Sequence, residues 1–231
     1  MKLLALDTSS EGCSAALLVD DSVAERFELA PRGHTRLLMP MIRELLAEQN
    51  LVPADLDALA FACGPGSFTG LRIATGVIQG LAYGLDIPVI PVSSLAAVAE
   101  DAIAQQNLAD GDGLAVAFDA RMGEVYWANY VCRGGQPELM GGEQVCTPGS
   151  VTLAPGVSRW FGVGQGWSLR EGFPKGVTGA METIDDTLVP RASRVAGIAA
   201  RAFRAGAGVA AEQAQPVYIR DEVAWKKLPG R

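Results

Sequence analysis

The apolar positions of the chain fall into short runs broken by acidic or glycine-bearing turns, and the arrangement repeats halfway along. Residues 3–6 are apolar, Asp7 follows, residues 8–12 have turn composition, and residues 13–19 return as an apolar run. The same order recurs as residues 114–118, Asp119, residues 120–123 and residues 124–131, the last rich in aromatic and branched side chains. Asp7 and Asp119 are separated by close to half the chain. The echo predicts two hairpins in duplicated lobes, the alternative being unrelated hairpins that both carry a turn-favouring aspartate. Residues 58–63 and 89–92 read as further strands, and residues 69–85 and 95–106 as helices. That alternation predicts an α/β architecture of sheets flanked by helices. The expected division is a first lobe of residues 1–107 and a second of 108–231, with the boundary in residues 107–113. Residues 133–155 hold five glycines and three prolines and read as a surface excursion.

Two helical segments carry patterns that ask for a neighbour. Residues 35–50 set Leu37, Leu38, Met41, Ile42, Leu45 and Leu46 on one stripe, which suits either the protein's own sheet or a second chain. In residues 68–85, Gly76, Gly80 and Gly84 recur every fourth position beside Ile73, Val77 and Leu81. Each interior glycine costs a helix about 0.5–1 kcal/mol relative to alanine, so three cost about 2–3 kcal/mol. Such a stripe persists where another backbone gains by approaching closely. The expected partner-binding set is therefore Leu37, Leu38, Met41, Ile42, Leu45, Ile73, Gly76, Val77, Gly80 and Leu81.

Composition narrows the function classes. Of the 231 residues, 49% are hydrophobic and 19% charged, a globular balance, and the net charge of -7 disfavours RNA binding by the chain alone. Cys13, Cys63, Cys132 and Cys146 form no CxxC pair, so no zinc ribbon or redox dithiol is expected. The first residues are too short an apolar stretch for a signal peptide, and no run is long enough to span a bilayer, so a cytoplasmic, membrane-free protein is expected.

The segment Cys63-Gly64-Pro65-Gly66-Ser67-Phe68-Thr69-Gly70 feeds the glycine-striped helix. A glycine-rich turn at a helix N-terminus can hold an anion, but the spacing lacks the lysine of a phosphate loop and is not a dinucleotide fingerprint. The other reading is a tight strand-to-helix turn capped by Ser67 or Thr69. Asp7, Thr8, Gly64, Gly66, Ser67 and Asp119 are the candidate nucleotide or anion contacts, because oxygen ligands also suit a phosphate-bound magnesium.

The strings GPGSFTGLRIATG (64–76), MKLLALDTSSEGCSAAL (1–17), DARMGEVYWANY (119–130) and PVYIRDEVAWKKLPG (216–230) resemble the TsaB (YeaZ) family along the whole chain. The resemblance implies an actin-like (ASKHA, ribonuclease H-like) two-lobe fold of duplicated mixed sheets flanked by helices. It also implies a non-catalytic protein that pairs with the catalytic homologue TsaD and acts with the ATPase TsaE. Together these install threonylcarbamoyladenosine next to the anticodon of tRNA. On the same basis, first-lobe helices form the interface, the chain alone forms a homodimer, and tRNA is met only through the complex. No cofactor is required, while ADP or ATP at the shared interface is possible on this reading.

The residues speak to the rival functions as well. Catalytic relatives hold a metal through paired histidines and an aspartate, whereas this sequence has one histidine, His34, so no metal or catalytic residue is expected. Metal-dependent or serine proteolysis lacks its residue set. An ATP-dependent kinase would use Asp7 and Asp119 with a nucleoside-binding glycine pair, for which residues 159–167 are the candidate, a plain glycine turn being the alternative. Arg191, Arg194, Arg201 and Arg204 read as a solvated helix face, and Tyr218, Arg220, Trp225, Lys226 and Lys227 as a basic, aromatic C-terminal segment.

Overall fold

In a computed structural model that describes residues 1–220, the half-chain echo becomes two five-stranded sheets of the same topology. Strands β1 (Lys2–Asp7), β2 (Gly12–Val19), β3 (Ser22–Leu29), β4 (Ala58–Gly64) and β5 (Val89–Ser93) lie in the order β3-β2-β1-β4-β5. Strands β6 (Gly113–Arg121), β7 (Glu124–Arg133), β8 (Gln136–Cys146), β9 (Trp160–Val163) and β10 (Met181–Asp185) lie in the order β10-β9-β6-β7-β8. In each sheet the first three strands pair antiparallel and the last two add in parallel. This duplicated mixed-sheet architecture is the actin-like one.

The helices are α1 (His34–Glu48), α2 (Phe68–Leu85), α3 (Ser94–Gln106), the single turn α4 (Lys175–Thr178) and α5 (Ala192–Arg204). Alternation along β1 sends Leu4 and Leu6 to a layer with α1 and α2, and Leu3 and Ala5 to a layer with α5. The α5 side is built from Ala16, Ala58, Ala60, Ala62, Ala196 and Ala199, small side chains that let helix and sheet approach closely. On the second sheet, Leu114, Val116 and Phe118 of β6 face α3, while Ala115 and Ala117 face Trp167, Phe173 and Val177. The rings of Trp167 and Phe173 meet edge-on at 5.0 Å.

A cut between residues 107 and 108 separates the sheets, but not the helices that pack on them. Helix α3 lies in the core of the second sheet, and α5 returns to cover the first. The two cross each other between the sheets, where Arg201 forks onto Glu100 at 2.8 and 2.5 Å and Arg194 Nε donates to Asp101 at 2.7 Å. The segment read as a surface excursion contains β8, an edge strand whose outer positions are solvated and whose pairing is bulged near Gly141 (φ +85°). Gly141 and Gly142 lie at that bulge, and Gly134 and Gly135 turn the chain from β7 into β8, so composition alone disguised a strand. Among the described residues no helix is long and apolar enough to cross a membrane.

Candidate functional site

The glycine loop is occupied by the protein's own chain. The turn between β1 and β2 lies against it, so a β-carbon on Gly66 would sit 2.3 Å from the Ser9 carbonyl oxygen. On Gly70 it would sit 1.9 Å from that of Thr8. Ser67 N–H donates to the Ser9 carbonyl at 2.7 Å, and Ser67 Oγ accepts from Gly70 N–H, capping α2. Thr8 Oγ1 donates to the Gly70 carbonyl at 2.7 Å. On the other side, Val217 N–H donates to the Cys63 carbonyl and crowds Gly64, whose φ is +124°. Gly64, Gly66, Ser67 and Thr8 are thus brought together as a clasp between two turns.

Asp7 lies fully buried beside the clasp. Its Oδ1 accepts from Ser9 N–H and Oγ, while Oδ2 has no partner among the described residues. Burial pushes its pKa up to about 7, partly offset by the Ser9 hydrogen bonds, with the Glu25 charge adding a little. Asp119 differs. It is exposed, accepts from Arg121 N–H at 2.7 Å, and holds the tight β6–β7 turn, where Arg121, Met122 and Gly123 all have positive φ. The two aspartates occupy matching places in the repeat but have different jobs, one buried and half-satisfied, the other a turn former.

The stripe on α1 answers to the protein's own core. Leu38, Met41, Ile42, Leu45 and Leu46 are buried against β2 and its neighbours, which removes Leu38, Met41, Ile42 and Leu45 from a surface available to a partner. Leu37 remains half-buried at the edge. On α2, Ala74, Ile78 and Ala82 face the core, and Ile73, Val77 and Leu81 are half-buried along its rim. Gly76, Gly80 and Gly84 face outward, and among the described residues a β-carbon at any of them would meet no atom within 4 Å. The exposed side of α2 is therefore almost bare backbone, bounded by Tyr83 at one end and by Phe68 and Arg72 at the other.

Other candidates resolve into structure. His34 is buried, with Nε2 within 3.0 and 3.2 Å of the Ser10 and Gly12 carbonyls, so Nε2–H donates to both and pins α1 to the β1–β2 hairpin. In residues 159–167, Gly162 and Gly166 admit the Trp167 ring and the β6 backbone respectively, and Trp167 Nε1–H donates to the Ala115 carbonyl at 2.8 Å. The arginines of α5 are not merely solvated. Arg191 is paired with Glu25, Arg194 with Asp101 and Arg201 with Glu100, with Arg204 reaching Asp21 at the exposed end. A helical period marks such charges as outward but cannot show that an acidic element crosses above them. Tyr218 and Arg220 lie on the first-lobe clasp and the β6–β7 hairpin, while Trp225, Lys226 and Lys227 fall outside the described residues.

Comparison with known proteins follows the same lines. Residues 26–227 match the family described as "TsaD: tRNA N6-adenosine threonylcarbamoyltransferase". The chain is 39% identical to the tRNA threonylcarbamoyladenosine biosynthesis protein TsaB of Escherichia coli, over all of both chains. It is 40% identical to the TsaB of Haemophilus influenzae, over all of this chain and 98% of that one. Its structure matches that of YeaZ from Pseudomonas aeruginosa with a TM-score of 0.88 and 44% identity, covering 94% of this chain and 99% of that one.

Proposed function

Because this chain belongs to the TsaB (YeaZ) family, we propose that it serves tRNA threonylcarbamoyladenosine formation as a non-catalytic partner, docking a TsaD-type enzyme on the outer face of α2. The observation that carries this reading is the open space above Gly76, Gly80 and Gly84. Three glycines that destabilise an isolated helix and meet nothing among the described residues fit a surface selected to receive another backbone. The half-buried Ile73, Val77 and Leu81 then form an apolar rim to that flat strip.

Two further features support a role in association over chemistry. The glycine loop that would cradle a phosphate is filled by Thr8, Ser9 and Val217, and the only histidine is committed to two backbone carbonyls. A cytoplasmic setting, a homodimer of the chain alone, TsaE as third component and ADP or ATP at the shared interface belong to the same proposal.

The test is co-expression with the TsaD of the same organism, followed by light scattering and by mass spectrometry of tRNA. A one-to-one complex and modification that requires both chains are expected. Phosphate release or tRNA modification by the isolated chain would overturn the reading, as would full modification without it.

A further inference from the structure

We propose that Arg72 is the anchoring cation of the docking face, braced by Phe68 and Tyr218 to receive a carboxylate from a helix of the partner protein. The inference rests on the docking reading above and adds to it the chemistry that the partner must present.

Phe68, Arg72, Gly76, Gly80 and Gly84 recur at four-residue spacing, so they form one ridge along α2. Arg72 is the single charged residue among the 18 of that helix, and it is exposed. Its guanidinium carbon stands 3.7 Å above the Phe68 ring centroid and 5.9 Å from that of Tyr218. The rings themselves are 5.4 Å apart, and Arg72 Nε–H donates to Tyr218 Oη at 3.0 Å. Tyr218 is held in turn through its neighbour, since Val217 N–H donates to the Cys63 carbonyl at 2.7 Å.

This bracing leaves specific donors for a visitor. Nε is used within the chain, and among the described residues no carboxylate lies within 4.0 Å of the Arg72 nitrogens. The two terminal nitrogens present a planar fork, the geometry that matches a carboxylate or a phosphate. Holding the side chain in place beforehand removes much of the rotamer entropy that an arginine loses on binding. Arginine, tyrosine and tryptophan are enriched among the residues that carry most of the energy of protein interfaces.

Position selects carboxylate over phosphate. The guanidinium lies one helical turn from Gly76, so a helix laid along the bare ridge passes directly over it. A nucleic acid approaching the same point would meet a chain of net charge -7.

Calorimetric titration with the TsaD-type partner tests the assignment, using chains whose thermal unfolding shows them folded. Arg72→Gln is expected to weaken pairing at least about tenfold and to flatten its salt dependence, with Arg72→Lys recovering only part because it lacks the fork. Arg72→Glu should be rescued by a lysine or arginine at one carboxylate on the partner helix. Binding by Arg72→Gln within twofold of the unaltered chain, while Gly80→Leu abolishes pairing, overturns this inference and leaves the docking reading standing. No pairing even by the unaltered chain overturns the docking reading itself. Unchanged pairing with weakened tRNA binding by the complex would mean that the fork serves a phosphate, and the inference falls.

Discussion

The carbonyl oxygen of Thr8 lies where a β-carbon on Gly70 would come within 1.9 Å of it, and Thr8 Oγ1 donates back to the Gly70 carbonyl at 2.7 Å. Both sides of that approach are backbone, so no rotamer change can relieve a clash. Gly70→Ala should therefore cost about 2–4 kcal/mol in urea denaturation. Thr8→Val, which removes only the hydroxyl bond, should cost about 1–2 kcal/mol. A Gly70→Ala chain within about 0.5 kcal/mol of the unaltered one would contradict the close approach.

Asp7 makes stability depend on pH in an unusual direction. Its pKa rises from 3.8 to about 7 on folding, so between those values the folded chain holds a proton that the unfolded chain has released. Stability therefore falls as pH rises from about 4 through 7 and levels off above, by on the order of 4 kcal/mol in all. In Asp7→Asn the slope over that window should disappear, because the side-chain oxygen still accepts from Ser9 and nothing titrates. Denaturant midpoints at pH 4.5, 6 and 7.5 for both chains measure this, and parallel profiles would contradict it.

The parts of the molecule that were legible in the sequence are those governed by local period. Two apolar runs around each aspartate, and the Gly76–Gly80–Gly84 spacing, follow directly from the order of residues, and the first become matching hairpins while the second becomes one line of exposed glycines. What depends on distant partners was hidden. The α1 leucines fit a core or an interface equally by period, and only the position of β2 decides that Leu38 and Leu45 are buried within the chain. Asp7 and Asp119 look alike as letters, yet only one has its carboxylate enclosed. Phe68, Arg72 and Tyr218 span most of the chain, and no spacing rule brings them together.

The bare ridge of α2 allows stability and association to be separated in one position. Gly80→Ala should raise the stability of the isolated chain by about 0.5–1 kcal/mol, since the added methyl meets nothing among the described residues and the helix gains propensity. Gly80→Leu should leave the isolated chain folded while abolishing pairing with the TsaD-type partner. Glutamate at Val77 or Leu81 is a poorer probe, because both side chains also pack on the first-lobe core and the fold itself would suffer. Thermal melts of the single chains, set beside size-exclusion profiles of the mixtures, read both effects. Retained pairing by Gly80→Leu would place the interface elsewhere.

The pairing of α5 with α3 should dominate the cohesion of the two sheets. Asp101 is almost wholly enclosed and accepts from Arg194 Nε at 2.7 Å and from Gln105 Nε2 at 2.8 Å. Arg194→Met keeps much of the aliphatic stem but strands a buried carboxylate, which should cost about 3–5 kcal/mol. Replacing both partners, Arg194→Met with Asp101→Leu, removes the stranded charge and should recover most of that loss. The exposed pair of Arg204 and Asp21 provides the contrast, because solvent screens it and Arg204→Met should change stability by less than about 1 kcal/mol. Equal effects of the Arg194 and Arg204 substitutions in thermal unfolding would mean that the helix crossing is held by its apolar contacts alone.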